Sequence, residues 1–210
     1  MNIVKKIVRY SKTIALLYKA LDSYVLQPDI RDLDSIYTRF SAGTLGLRES
    51  STLDLGCGAQ PKNPFLATKV YGLDIREDLS KGVHYADLTT APIPFADDQF
   101  DYITAYDFLE HVPRVIYTPS RKFPFIDLMS EIYRSLKPGG FFLSRTPFYP
   151  ISAAFTDPTH VNVITADTFV RYFDERDTWA KIYGFRGGFK VCVQGIHETH
   201  LLTLMQKPLE

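Results

Sequence analysis

Cysteine is scarce in this 210-residue chain: Cys57 and Cys192 stand far apart without ligand-type spacing. Neither a disulfide framework nor a cysteine-zinc cluster is expected, and a reducing cytoplasm is the simpler setting. Excess charge is lacking too. The 24 lysines and arginines balance 24 aspartates and glutamates, so no overall field draws the chain to nucleic acid. No apolar run approaches the roughly 20 residues that a membrane-spanning helix needs. The N-terminus has no compact apolar block before a small-residue cleavage site, so secretion is not expected either. Repeats and low-complexity stretches are missing. What is there, 45% hydrophobic and 23% charged, is the composition of a globular chain with room for one well-buried domain and an extension.

One local bias survives the neutral total. Ile3, Ile7, Tyr10, Ile14, Leu17 and Leu21 recur at steps of four and three, the spacing of an amphipathic helix over residues 1–26. Lys5, Lys6, Arg9, Lys12 and Lys19 accompany them, and no acid appears before Asp22. Such a helix either caps the core with its lysines in water or lies peripherally on an anionic membrane; a protein partner is the third reading. Pro28 breaks the pattern, and residues 29–50 read as a shorter helical region ending at Gly43 and Gly46. Residues 1–46 are expected to form a helical extension or cap, and 47–210 the main domain.

Beyond residue 50, short apolar runs alternate with helical patterns: STLDLG, KVYGLDI, FDYITAY, FIDLMSEIYRSLK, GFFLSRTP. That alternation predicts an α/β fold with a mostly parallel sheet and crossover helices. FKVCVQG and THLLTLMQK follow as an antiparallel hairpin closing one edge.

The strand TLDL runs into Gly56-Cys57-Gly58, where missing Cβ atoms permit a tight turn and close approach of a ligand. A dinucleotide loop would place a third glycine where Pro61 stands, and no Gly-Lys-Ser/Thr follows to cradle a triphosphate. Asp74, ending the next strand, offers two carboxylate oxygens to the hydroxyls of a ribose. Asp87 ends HYAD, where a third strand should end beside the same crevice, and can accept from an exocyclic adenine amine. Together these residues ask for adenosine without a phosphate tail, attached to a cationic or zwitterionic group.

LDLGCGAQP, YGLDI, ADLTTAPIPFADDQFDYITAYDFLEHVP and LMSEIYRSLKPGGFFLSRTP, in that order and spacing, resemble the Rossmann-like S-adenosylmethionine-dependent methyltransferases, over about residues 50–205. The nearest group is the small-molecule and glycan type. The resemblance implies a seven-stranded, mostly parallel sheet with helices on both faces. It implies S-adenosylmethionine as cofactor and S-adenosylhomocysteine as product. Asp54 and the Gly56, Cys57 and Gly58 backbone would meet the amino-acid portion, Asp74 with Ile75 the ribose, and Asp87 with Leu88 the adenine. Ala105 and Tyr106 would flank the methionine part near the sulfonium.

Methyl transfer from a sulfonium is an in-line displacement, so alignment of donor and acceptor is the main demand, and a base helps if the acceptor is a hydroxyl. His111, in FLEHVP just beyond the fourth strand, and His160, in the long loop after the fifth, are the candidate catalytic bases. The DPTH around His160 resembles the Asp-Pro-x-His of methyltransferases from surface-glycan and natural-product pathways. The loop aromatics Phe148, Tyr149 and Phe155 are candidate walls of the acceptor site. His197 and His200 lack a metal-type constellation, and no metal site is expected. A small-molecule or glycan methyltransferase is the leading expectation. A non-catalytic cofactor-binding module of the same fold and a nicotinamide-dependent oxidoreductase are the rivals, and acceptor identity and oligomeric state are not legible.

Overall fold

The parallel strands form where the apolar runs predicted them. In the computed structural model, which describes residues 11–16, 27–117 and 119–209, β1 (Ser51–Leu55), β2 (Lys69–Asp74), β3 (Val83–Tyr85), β4 (Phe100–Tyr106), β5 (Leu136–Pro147), β6 (Lys190–His197) and β7 (His200–Gln206) join in one sheet. Its order is β3-β2-β1-β4-β5-β7-β6. The pairs β1–β2, β1–β4, β2–β3 and β4–β5 are parallel, and the expected antiparallel hairpin adds β7 to β5 and β6 to β7.

Side-chain alternation divides the core into two faces. Ile103, Phe142, Leu201 and Met205 point to one side, and Tyr102, Phe141, Leu143, Leu202 and Leu204 to the other. The first face is covered by α2 (Pro124–Ser135), through Phe125, Met129 and Ile132, and by α4 (Ala166–Tyr172), through Phe169. The second is covered by α1 (Leu33–Arg39), where Leu33, Ile36 and Tyr37 pack beside Phe65 and Tyr102. Asp32 caps α1 by accepting from Ser35 N at 3.0 Å. One more short helix, α3 (Ala153–Thr156), follows β5.

Helices thus lie on both faces, yet the first crossovers are leaner than the alternating pattern implied. Among the described residues no α-helix links β1 to β2 or β2 to β3. Pro61 and Pro64 account for the first case, because each removes an amide donor and crowds the preceding turn. After α2 the chain enters β5 directly, so Lys137-Pro138-Gly139-Gly140, which reads as a helix stop, belongs to the strand.

Of the helix expected over residues 1–26, residues 11–16 are helical and the remainder lies outside the described residues. The following segment is tied to the sheet edge: Ile30 N donates to Ile196 O at 2.7 Å and Ile196 N to Pro28 O at 2.8 Å. Gly195 permits that approach, since a Cβ there would lie 2.6 Å from Pro28 O. Among the described residues, no helix is long and apolar enough to cross a membrane.

Candidate functional site: a crevice at the carboxyl ends of β1, β2 and β4

Strand order reverses between β1 and β4, and open α/β sheets hold their ligands outside the carboxyl ends of strands at such a point. There the glycine turn leaves β1. Gly56 and Gly58 both take left-handed backbone, with φ of 61° and 63°, which side chains with a Cβ adopt at a cost. The space above them differs. A Cβ on Gly58 would meet nothing closer than Arg76 Nη2 at 4.0 Å, whereas one on Gly56 would lie 2.3 Å from Phe108 Cδ2. The Phe108 ring therefore lies directly on the turn. It is brought there by Asp107, whose φ of 49° bends the chain sharply off β4.

The expected cofactor residues are gathered around this turn but differ in what they leave free. Asp54 is 1% exposed, and its oxygens accept from Thr104 Oγ1 at 2.6 Å and Lys62 N at 2.8 Å. Burial raises its pKa against the effect of those bonds. It fastens the turn to β4. Cys57 is buried, its amide donates to Leu73 O, and its sulfur packs on Gly72, where a Cβ would stand 2.5 Å from Sγ. Burial, with Asp54 and Asp74 nearby, pushes its thiol up to about 11, so it is a packing group and a poor nucleophile at neutral pH.

Asp74 closes β2 with Oδ2 accepting from Gly58 N at 2.9 Å and Oδ1 from Arg76 N and Nε at 3.0 Å. Burial alone would raise its pKa, but the bonds from Arg76 and Gly58 outweigh burial and hold the carboxylate low. The Arg76 side chain is 77% exposed, so its hold is a surface ion pair that a ligand hydroxyl can displace at small cost. Ile75 beside it is exposed. Asp87 lies beyond β3, half-buried, and closes its own turn by accepting from Thr89 N and Thr90 Oγ1; Leu88 is buried. At the end of β4, Ala105 is buried, and the Tyr106 hydroxyl meets that of Tyr37 at 3.0 Å under Lys62 Nζ, 4.6 Å from the Tyr106 ring centroid. Burial is the chief cause that raises the Tyr106 pKa.

Next to the Phe108 turn lies a cleft of about 650 Å³, with Asp107, Glu110, His111, His160 and His200 in its wall. Residues 160 and 111 meet because the loop after β5 is sewn onto the turn after β4. Val161 N and Asn162 N donate to Glu110 O at 2.9 Å each, Asn162 Nδ2 to Leu109 O at 3.0 Å, and Arg114 Nε to Asn162 Oδ1 at 2.7 Å. The rings of His111 and His160 then stand 4.8 Å apart, edge to face. Asp157 folds the DPTH segment by accepting from Thr159 N at 2.8 Å and Thr159 Oγ1 at 2.6 Å.

Two residues escaped sequence reasoning. Asp107 accepts from His200 Nε2 at 2.8 Å, a pair that the β6–β7 hairpin completes by carrying His200 opposite Pro147 on β5. Burial would raise Asp107, but the hydrogen bond and charge of His200, with Arg145, keep it below the ordinary carboxylate range. Hairpin register was the only signal for this pair. One expectation is corrected: Phe148 is fully buried within the core and walls no cleft, because the loop turns outward only after it. Tyr149 and Phe155 are exposed and approach edge to face at 6.4 Å.

Comparison with known proteins gives these features a family. Residues 28–178 match the model of the family described as methyltransferase domain. A search of curated proteins finds no match. Among solved structures, the [4+2]-cyclase SpnF is similar with a TM-score of 0.54 at 15% identity, over 85% of this chain and 80% of that one. The N-methyltransferase NodS from Bradyrhizobium japonicum WM9, in complex with S-adenosyl-L-homocysteine, is similar with a TM-score of 0.50 at 16% identity, over 83% of this chain and 85% of that one. At such identities the likeness is one of fold, whereas the family model covers most of the chain: it belongs to the methyltransferase-domain family, with the Rossmann-like fold and the S-adenosylmethionine cofactor of that family.

Proposed function

We propose that this protein transfers a methyl group from S-adenosylmethionine to a small-molecule or glycan acceptor seated in the cleft beside His111 and His160. The observation that carries the reading is the adjacency of that cleft to the glycine turn, with only the Asp107–Phe108 bend between them. The residues of the turn suit the cofactor. Cys57 N and Gly58 N are already bonded, so what the turn offers a ligand is the open space above Gly58 and carbonyl acceptors, which suit an ammonium better than a phosphate. Asp74 stands ready for ribose hydroxyls, and the acids Asp54, Asp74, Asp107 and Glu110 favour a sulfonium cation.

When bound, the cofactor supplies an electrophilic methyl: the acceptor's lone pair forms the new bond to carbon while the carbon–sulfur pair returns to sulfur. The protein's share is to align the acceptor and take its proton. The Ala154 carbonyl can only accept, so His160 Nδ1, 3.3 Å from it, carries a hydrogen. Thr159 spends its hydroxyl hydrogen on Asp157, so it accepts from His111 Nδ1 at 3.0 Å. In the neutral ring form both imidazoles then have Nε2 as a lone pair for an acceptor proton. Tyr149 and Phe155 supply apolar walls at the rim. The NodS likeness supports cofactor use, while the [4+2]-cyclase SpnF shows that one fold serves several reactions.

The two free cysteines fit a reducing cytoplasm, and the basic residues in 1–26 would give any membrane contact a peripheral character. The test of the reaction is turnover of an acceptor panel by wild type and His160→Ala. Turnover should fall by about 10²–10⁴-fold in the variant with S-adenosylhomocysteine affinity unchanged. Unchanged turnover would remove His160 from the chemistry, and absence of methyl transfer to every hydroxyl, amine and glycan class offered would count against the reaction itself.

A further inference from the structure

The wall of the acceptor cleft contains a carboxylate that the loop hydrogen bonds leave unexplained. Glu110 is 1% exposed; its Oε2 accepts from Thr146 Oγ1 at 2.7 Å, but among the described residues no donor reaches Oε1. A buried carboxylate oxygen without a donor is costly unless a cation or a donor supplied from outside meets it. Two imidazoles stand beside it. Glu110, His111 and His160 each offer one ligand atom, and the three lie within 4.8 Å of one another.

The surroundings of the imidazoles match what a metal asks of its ligands. His160 donates its Nδ1 hydrogen to a backbone carbonyl, and His111 donates its own to Thr159, which is oriented in turn by Asp157. Metal-ligating histidines are held this way, with one nitrogen bonded outward and the other left as a free lone pair. A loop-fixing role would explain those two bonds, but not the orphaned Glu110 oxygen beside the same cleft.

We propose that Glu110, His111 and His160 bind a divalent first-row transition cation, with its remaining positions open to the cleft. One carboxylate and two imidazoles suit zinc or a neighbouring metal better than magnesium or calcium, which prefer all-oxygen shells. Bond lengths of about 2.0–2.2 Å require the ligand atoms to draw together by roughly an ångström, a movement within reach of side-chain rotation. The sequence hid this site because Glu110 and His111 are adjacent while His160 arrives on a different loop.

The role of the cation rests on the reading of this cleft as the acceptor side. An acceptor oxygen would fill an open position, and its hydroxyl would release its proton to water more readily there than free in solution. In the metal-loaded protein the imidazoles would hold the cation and water would take the proton, so the base role given to them above would belong to the metal-free protein. Vicinal hydroxyls or a hydroxyl beside a carboxylate, which can chelate, are the acceptor class this favours.

The experiment is titration of the full chain, stripped with chelator, with Zn²⁺ by calorimetry and with Co²⁺ by visible absorption. One cation per chain is expected, with Co²⁺ bands of a low-coordinate site. His160→Ala and Glu110→Gln should each weaken binding by at least ~10–100-fold, while S-adenosylhomocysteine affinity, measured on the same samples, shows that they fold. Thr159→Val provides a second, exposed variant with a smaller loss. No saturable binding by wild type, or equal binding by the variants, would overturn the site. Cation binding without cofactor binding would leave the site standing and sink the methyltransferase reading instead.

Discussion

Gly56→Ala is expected to be among the most damaging single-methyl additions in this chain, and the cost separates into two parts. Alanine at a φ of 61° carries left-handed strain of about 1–2 kcal/mol. Its Cβ would also stand 2.3 Å from Phe108 Cδ2, against the roughly 3.5–4.0 Å at which carbon atoms rest. Moving the ring adds overpacking of about 1–3 kcal/mol, for a total of about 2–5 kcal/mol. Most of the second part is removed in a Phe108→Ala background, which leaves only the Cβ of residue 108 at 3.0 Å, so Gly56→Ala should cost little beyond its backbone strain there. Urea unfolding of wild type, both single variants and the double variant measures the difference as a coupling of about 1–3 kcal/mol. Additivity within about 0.5 kcal/mol would refute the placement of Phe108 on the glycine turn.

Two further outcomes follow from burial and charge. Phe148→Ala should lose about 3–5 kcal/mol of stability as a core truncation, whereas Phe155→Ala, at a site 55% exposed, should stay within about 0.5 kcal/mol and alter acceptor KM instead; comparable urea midpoints for both would contradict the burial of Phe148 in the core. Asp174 is buried beneath β6, where burial would raise its pKa but bonds from Arg176 and Val191 hold it below the ordinary 3.8. Its contribution is present above that value and lost as pH falls through the lower folded-state value. The urea midpoint of wild type should therefore fall more steeply than that of Asp174→Asn as the pH is lowered below 3.8, and parallel curves would exclude this linkage.

Much of the fold was legible because local pattern and tertiary role agree. β1 is buried along its length and reads as an uninterrupted core strand, and α2 shows a clear apolar stripe. The lack of a helix between β1 and β2 was legible in principle from Pro61 and Pro64, but an alternating pattern that implies crossover helices does not say which crossover goes without one. At the candidate site, the placing of Asp54, Asp74 and the glycines around one turn was legible because they lie within a few residues of strand ends. His200 and the convergence of Glu110, His111 and His160 were not, since they depend on hairpin register and on hydrogen bonds between loops distant in sequence. Phe148 was misjudged for a related reason: a loop boundary inferred from sequence does not say where the chain leaves the core.

Asp74 carries the central claim that the crevice binds S-adenosylmethionine through its ribose. Calorimetry of S-adenosylhomocysteine with wild type and Asp74→Ala, with NAD as the competing ligand, tests it most directly. Wild type should bind the sulfur ligand and give no response to NAD, and the variant should lose about 1–3 kcal/mol, roughly 5- to 150-fold. Equal affinity in wild type and variant would contradict the ribose assignment, and binding of NAD with no response to S-adenosylhomocysteine would contradict the account as a whole.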